Sequence, residues 1–140
     1  PKTILYAIND KKIPIYGTGK NVRDWIHVSD HCEAIFKVLK NGKKGSSYNI
    51  SSDNEIDNET IIKKILSFMK KSEDMIEYVK DRPGHDFRYS MNSSKIRDEL
   101  GWSPQIKFDE GLKDTINWYL ENEEWWKNIS HETLVPNWQQ

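Results

Sequence analysis

Asp81-Arg82-Pro83-Gly84-His85-Asp86 places a guanidinium, an imidazole and two carboxylates around a Pro-Gly pair that cannot continue a helix or a regular strand. Lys80 precedes this stretch and Arg88 follows it, so cationic donors crowd one short irregular loop. An arginine fork matches the oxygens of a phosphate, which makes the loop a candidate for holding an anionic ligand. The same composition also fits a solvated turn with local ion pairs. A second cluster lies upstream, Pro14-Ile15-Tyr16-Gly17 followed by Val22-Arg23-Asp24-Trp25. There an aromatic face that can stack on a nucleobase, at about 1–3 kcal/mol per base, stands across a glycine turn from an arginine that can hold phosphate. Packing in a short β-segment is the other reading of Tyr16.

Short elements must position these groups. Ile4, Leu5 and Ile8 form an apolar stripe that reads as the end of a helix, and a chain opening on Pro1 without an initiator Met reads as a piece of a larger protein. Ile13-Pro14-Ile15-Tyr16 reads as extended, because Pro fixes φ and biases its predecessor away from the helical region. Gly17-Thr18-Gly19-Lys20-Asn21 is a tight turn. Trp25-Ile26-His27-Val28 reads as a brief extended stretch, with Ser29 the N-cap of a helix whose apolar face is Ala34, Ile35, Val38 and Leu39 and whose end is Asn41-Gly42. Ser46 to Ile50 reads as a strand. Asn58 is placed as the cap of a helix with the stripe Ile61, Ile62, Ile65, Leu66 and Met69. Met75 to Val79 reads as a strand leading into the cationic loop. Ser93 or Ser94 opens a short helix that stops at Gly101, and Asp109 opens a longer one through Leu112, Ile116, Tyr119 and Leu120. The fold class is mixed α/β, with more helix than strand.

At 140 residues the chain has the length of one compact domain. Its 21 Lys+Arg against 22 Asp+Glu give a net charge of -1, which excludes a strongly basic nucleic-acid binder. No apolar run approaches the ~20 residues that cross a bilayer, and no signal-peptide pattern is present. The single cysteine, Cys32, cannot form an internal disulfide and reads as a small core residue, which fits a reducing cytoplasm. His27 and His31 lack the Cys or carboxylate spacing of a metal site. Asp24 is read as orienting the Arg23 guanidinium and Trp25 as core. Trp118, Trp125 and Trp126 read as core or as an interface patch. Asn-x-Ser/Thr matches at Asn58, Asn92 and Asn128 read as chance or cap chemistry.

Taken in order, the pieces Ile15-Tyr16-Gly17-Thr18-Gly19, Val22 to Val28, Asp30-His31, Tyr48-Asn49-Ile50, Asp81 to Asp86, Lys95-Ile96 and Glu99-Leu100-Gly101-Trp102-Ser103-Pro104 carry a resemblance. The chain resembles the C-terminal part of the dTDP-glucose 4,6-dehydratases, extended short-chain dehydrogenases/reductases that act on nucleotide sugars. The Arg-Asp-Trp and Leu-Gly-Trp-x-Pro pieces are shared with many nucleotide-sugar epimerases and dehydratases. The Asp-Arg-Pro-Gly-His-Asp piece is narrower and points to the dTDP-glucose branch rather than to relatives acting on GDP-mannose or UDP-sugars. Residues from about His131 fall outside the resemblance and form a terminal tail.

The resemblance implies a C-terminal substrate-binding domain over residues 1–140, with most of the Rossmann core elsewhere in the enzyme. It implies that Tyr16 lies against the thymine ring, that Arg23 and Asn58 hold the diphosphate, and that Arg82 and His85 are ligands of the nucleotide end. It further implies dTDP-glucose as substrate, NAD bound by the missing N-terminal portion, a homodimeric parent and a cytoplasmic setting. Tyr16-Gly17-Thr18-Gly19-Lys20 spells the Tyr-x-x-x-Lys signature of that superfamily, but the signature works only on a helix and two glycines oppose one here. Gly42-Lys43-Lys44-Gly45 follows a helix rather than a strand, so no dinucleotide fingerprint is present. No catalytic residue is assigned and the piece alone is expected to be inactive. A stand-alone nucleotide-sugar binding module is the reading from another class.

Overall fold

The computed structural model describes residues 1–128, so the tail at 131–140 lies outside the described residues. They form six α-helices and four short strands, the mixed α/β composition expected. The chain divides into two compact units.

The first unit comprises Pro1–Lys20, Asn58–His85 and the described residues from Lys113. It holds α1 (Lys2–Ile8), β1 (Ile13–Tyr16), α3 (Asn58–Phe68), a 3-10 turn (Glu73–Met75) and β4 (Ile76–Val79). β1 and β4 are parallel, registered from Ile13 opposite Ile76 to Tyr16 opposite Val79. Alternation along β1 turns Ile13 and Ile15 inward, where they pack with Tyr6, Ala7, Ile62 and Leu66. The stripe on α3 follows the helical period, and Ile61, Ile62, Ile65 and Leu66 are buried. α5 (Phe108–Glu121) starts in the second unit and ends in the first, followed by α6 (Glu123–Trp126). Trp126 is buried and its indole N–H donates to the Tyr119 carbonyl at 2.7 Å. Trp118 and Trp125 instead stay exposed and meet edge to face at 5.0 Å.

The second unit comprises Asn21–Asp57 and Asp86–Leu112. β2 (Val22–Asp24) pairs antiparallel with β3 (Glu55–Asp57). α2 (Val28–Asn41) and α4 (Ser94–Leu100) pack around Ala34, Ile96 and Trp102, with Ile26, Val38, Tyr48, Ile50 and Leu100 against them. Gly101 takes the left-handed conformation that ends α4 (φ 60°), as expected of a helix stop. Asp30 on α2 is buried, and its two carboxylate oxygens accept the backbone N–H groups of Gln105 and Ile106, each at 3.0 Å.

Several sequence expectations are corrected. β2 takes Val22–Asp24, and the brief extended stretch expected at Trp25–Val28 ends at His27, which is extended, because Val28 already belongs to α2. His27, not Ser29, caps α2, its Nδ1 accepting the Ser29 N–H. The Asp30 carboxylate turns the Ala34 side of α2 inward, so of the face expected there Ala34 is buried and Val38 half-buried while Ile35 and Leu39 face out, and Cys32 is exposed rather than in the core. Ser46 to Ile50 forms no strand, since side chains rather than a ladder hold it: the Tyr48 hydroxyl donates to Glu99 and the Asn49 amide donates to the Asn92 carbonyl. Asn58 is the first residue of α3 and not its cap, because β3 runs directly into the helix. Among the described residues no helix is long and apolar enough to cross a membrane.

Removing the buried Asp30 carboxylate takes the partner from two part-buried backbone donors. Asp30→Ala is therefore expected to lower unfolding free energy by roughly 2–4 kcal/mol, read from the urea midpoint, with Asp30→Asn losing less.

Candidate functional site

Parallel strands leave a sheet at the same end, and ligands of α/β folds gather outside the carboxyl ends of such strands. In the first unit that end carries two loops, Gly17 to Lys20 after β1 and Lys80 to His85 after β4. Gly17 donates its N–H to the Val79 carbonyl at 3.0 Å and adopts φ +60°, and a Cβ there would lie 2.7 Å from a carboxylate oxygen of Asp81. The two loops are thereby held against each other. Gly19 (φ +72°) meets the start of α3, where Glu59 donates its N–H to the Gly19 carbonyl at 3.0 Å. Tyr16, Asn58, Arg82 and His85 thus share one end of the first unit.

Within the β4 loop, Asp81 organises its neighbours. One oxygen accepts the Arg82 N–H at 2.9 Å and bonds His85 Nδ1 at 2.6 Å. The His85 imidazole, and after it the Arg82 N–H, hold the Asp81 carboxyl below the usual carboxylate range. Although the loop is open, the His85 side chain is only 7% exposed. Arg82 is exposed, and its guanidinium has no ion-pair partner among the described residues. The Asn58 side chain likewise makes no hydrogen bond to another described residue. Tyr16 is half-buried, its hydroxyl accepting from Lys2 Nζ at 3.2 Å with the same ammonium 5.6 Å from its ring.

Arg23 belongs to the second unit. It sits on β2, and its guanidinium donates to the carbonyls of Val22, Asp86 and Phe87 while lying 4.5 Å from the centre of the Tyr89 ring. Asp24 does not orient it. The Asp24 carboxylate accepts the N–H groups of Ser52 and Asp53, both at 3.1 Å, and so closes a turn instead. Trp25 is half-buried with its indole N–H on the Ile56 carbonyl.

Sequence reasoning missed several groups here. Lys20 bonds Glu59 at 2.7 Å, so the lysine of the Tyr-x-x-x-Lys string is an ion-pair partner beside a turn. Donation from Lys20, Lys63 and the Tyr78 hydroxyl lowers the Glu59 carboxyl from its ordinary 4.5 to about 2. Arg88 grips Glu55 through Nε at 2.5 Å and Nη2 at 2.7 Å. With Ser90 added, Glu55 also falls to about 2. Lys20 and Glu59, and Arg88 and Glu55, lie more than 30 residues apart in sequence, beyond any local pattern.

A family model described as GDP-mannose 4,6 dehydratase matches residues 2–115. The chain belongs to that family. The dTDP-glucose 4,6-dehydratase of Escherichia coli is 42% identical, over 92% of this chain and 39% of its own length. That of Streptomyces niveus is 46% identical, over 88% of this chain and 37% of its own. Among solved structures, a dTDP-glucose 4,6-dehydratase from Bacillus anthracis in complex with NAD superposes with a TM-score of 0.87 at 45% identity, covering 93% of this chain and 41% of that one. Another, from Streptomyces venezuelae with NAD and TYD bound, gives 0.90 at 38% identity, with 93% and 40% covered. This dehydratase-family chain therefore spans about two-fifths of the length of the relatives it matches.

Glu55 and Glu59 titrate near 4.5 when unfolded and near 2 when folded. Their depressed values stabilise the fold above the unfolded value, and that contribution disappears as pH falls towards 2. Urea midpoints are expected to drop between about pH 5 and pH 3, and Glu59→Gln should flatten the drop. An identical pH slope in the variant would remove Glu59 as a source of acid sensitivity.

Proposed function

We propose that this chain forms the nucleotide-binding part of a dTDP-glucose 4,6-dehydratase, which converts dTDP-glucose to the 4-keto-6-deoxy sugar with NAD. The observation that carries this reading is the loop after β4. There Asp81 fixes His85, while Arg82 keeps an exposed guanidinium without an ion-pair partner among the described residues. A planar fork with no ion pair of its own, at the carboxyl end of two parallel strands, suits a phosphate.

In this reading Tyr16 offers its ring to the thymine, Arg82 and His85 hold the nucleotide end, and the Asn58 amide and Arg23 meet the diphosphate. Asp81 keeps the His85 ring turned to one side by its bond to Nδ1, leaving Nε2 for a ligand oxygen. Together these residues orient the nucleotide so that the sugar extends to where chemistry takes place. NAD would supply the oxidation at the 4-position of the sugar and the return of hydride. The described residues do not fit NAD. The glycine turn after β1 leads into β2 rather than a helix, and the loop after β4 reaches no helix before Ser94, so neither forms the strand-turn-helix cradle of a dinucleotide. No step through NAD is derived for this chain, and we assign its binding to the portion of the relatives that lies beyond the matched two-fifths. We further propose a homodimeric parent in the cytoplasm, where the unpaired Cys32 thiol persists.

Calorimetric titration of dTDP, with GDP and UDP alongside, tests the assignment. Arg82→Ala should weaken dTDP binding roughly ten- to hundredfold with little change in melting temperature, because the side chain is exposed and unpaired. His85→Ala should weaken binding more mildly but also lower the melting temperature, since its ring is buried against a carboxylate. Unchanged dTDP affinity in Arg82→Ala would overturn the reading, and tighter binding of GDP or UDP would redirect it to another nucleotide sugar. Incubated with NAD and dTDP-glucose, the chain by itself should form no 4-keto-6-deoxy sugar.

A further inference from the structure

The Arg23 guanidinium is held by three backbone carbonyls of the second unit. Its Nη1 donates to the Val22 carbonyl at 2.6 Å and the Phe87 carbonyl at 3.4 Å, which uses both hydrogens of that nitrogen. Nη2 donates to the Asp86 carbonyl at 2.9 Å, which uses one more. A guanidinium has five N–H donors. What remains is Nε–H and the second Nη2–H, both without a partner among the described residues. The Nε and Nη2 side of an arginine is a side-on fork able to meet two oxygens of one phosphate.

The face of the same guanidinium is covered by Tyr89, whose ring centre lies 4.5 Å from Cζ. Tyr89 is itself pinned at both ends. Its N–H donates to the Val22 carbonyl at 3.1 Å, and its hydroxyl donates to the Asp86 carboxylate. Asp86 is held in turn by the buried Asn21, whose amide donates to its carbonyl at 3.3 Å. Yet Tyr89 is 52% exposed and so adds little to the core. A half-exposed aromatic anchored at two points, with its face under a cation, is arranged to fix the plane of that cation.

We infer that Tyr89 is a positioning residue for Arg23, holding the guanidinium so that its Nε–Nη2 edge is presented to the diphosphate of the ligand. This rests on the reading that Arg23 binds phosphate. Three backbone carbonyls already lower the freedom of the guanidinium, and the ring removes the remaining rotation out of plane. The arginine is ordered before the ligand arrives.

Two measurements on the full chain test the inference. In the first, dTDP is titrated into wild type, Tyr89→Leu, Tyr89→Phe, Arg23→Ala and the Arg23→Ala/Tyr89→Leu double variant. Tyr89→Leu should weaken binding roughly three- to thirtyfold, Tyr89→Phe should keep most of the affinity because the ring remains, and Tyr89→Leu should cost nothing further on the Arg23→Ala background. An equal loss on both backgrounds would mean a merely structural tyrosine and overturn the inference. In the second, the Arg23 Nε–Hε resonance is followed without ligand. The ring should shift it upfield and slow its exchange with water, and Tyr89→Leu should abolish both effects while Tyr89→Phe keeps the shift. An unchanged resonance in Tyr89→Leu overturns the inference independently of any ligand. If wild type fails to bind dTDP, the phosphate reading of Arg23 falls while the resonance still decides whether Tyr89 orders it. Should Tyr89→Leu not fold, Tyr89→Met, of similar bulk but without a π face, takes its place with the same expected outcomes.

Discussion

The parallel register of β1 with β4 is the constraint on which the first unit depends. Tyr16 stands opposite Val79, so both strands end together and the Gly17 N–H reaches the Val79 carbonyl. The chain leaving β1 must then turn within one residue of the chain leaving β4. Only a residue without Cβ fits, because Asp81 occupies the space a side chain would need. Asp81, held there, accepts from both Arg82 and His85. One missing methyl group at Gly17 thus permits the carboxylate that shapes the whole cationic loop. A slip of the register would separate Gly17 from Asp81 and from the Val79 carbonyl.

The second unit solves a different problem with the same chemistry. Much of it is irregular backbone, whose N–H and C=O groups need partners that ladders do not supply. Side-chain carboxylates accept from the 52–53 and 105–106 segments, through Asp24 and Asp30 respectively. A guanidinium performs the converse service, since Arg23 collects carbonyls from Val22, Asp86 and Phe87. The Arg23 side chain is therefore part of the structure on one edge and open on the other.

Local signals in the sequence were read correctly where the residue itself dictates the backbone. Proline and alternation made Ile13–Tyr16 extended, two glycines kept Tyr16 to Lys20 from being a helix, and Gly101 ended α4. The α3 stripe was legible because its four buried residues follow the helical period. What stayed illegible depended on partners distant in sequence. The choice of which side of α2 is buried is made by Asp30 binding a segment 75 residues away, which the apolar face read from the sequence did not include. That choice turned Cys32, Ile35 and Leu39 outward. Likewise, nothing near Ser46–Ile50 reveals that side chains and not a ladder would hold it. The resemblance proposes Tyr16, Arg23, Asn58, Arg82 and His85 as ligands but gives no hint of the tyrosine under Arg23, because no spacing rule links Arg23 to Tyr89.

The structure also sorts the cations that the sequence shows only as a crowd. Lys20 is committed to Glu59 and Arg88 to Glu55, and each of those carboxylates is driven down to about 2. These pairs brace the flanks, tying the first turn of α3 to the β1 loop and β3 to the segment after Asp86. A cation already neutralised by a carboxylate has little to offer a second anion, since the incoming phosphate would have to displace the first. Arg82 bears no such partner among the described residues, and Arg23 is held by neutral carbonyls that leave its charge uncompensated. Ligand specificity in such a loop comes less from how many cations it contains than from which ones the fold leaves electrically unspent. Lys20 and Arg88 are thus committed to the fold, while Arg82 makes no ion pair among the described residues and Arg23 is held by carbonyls alone.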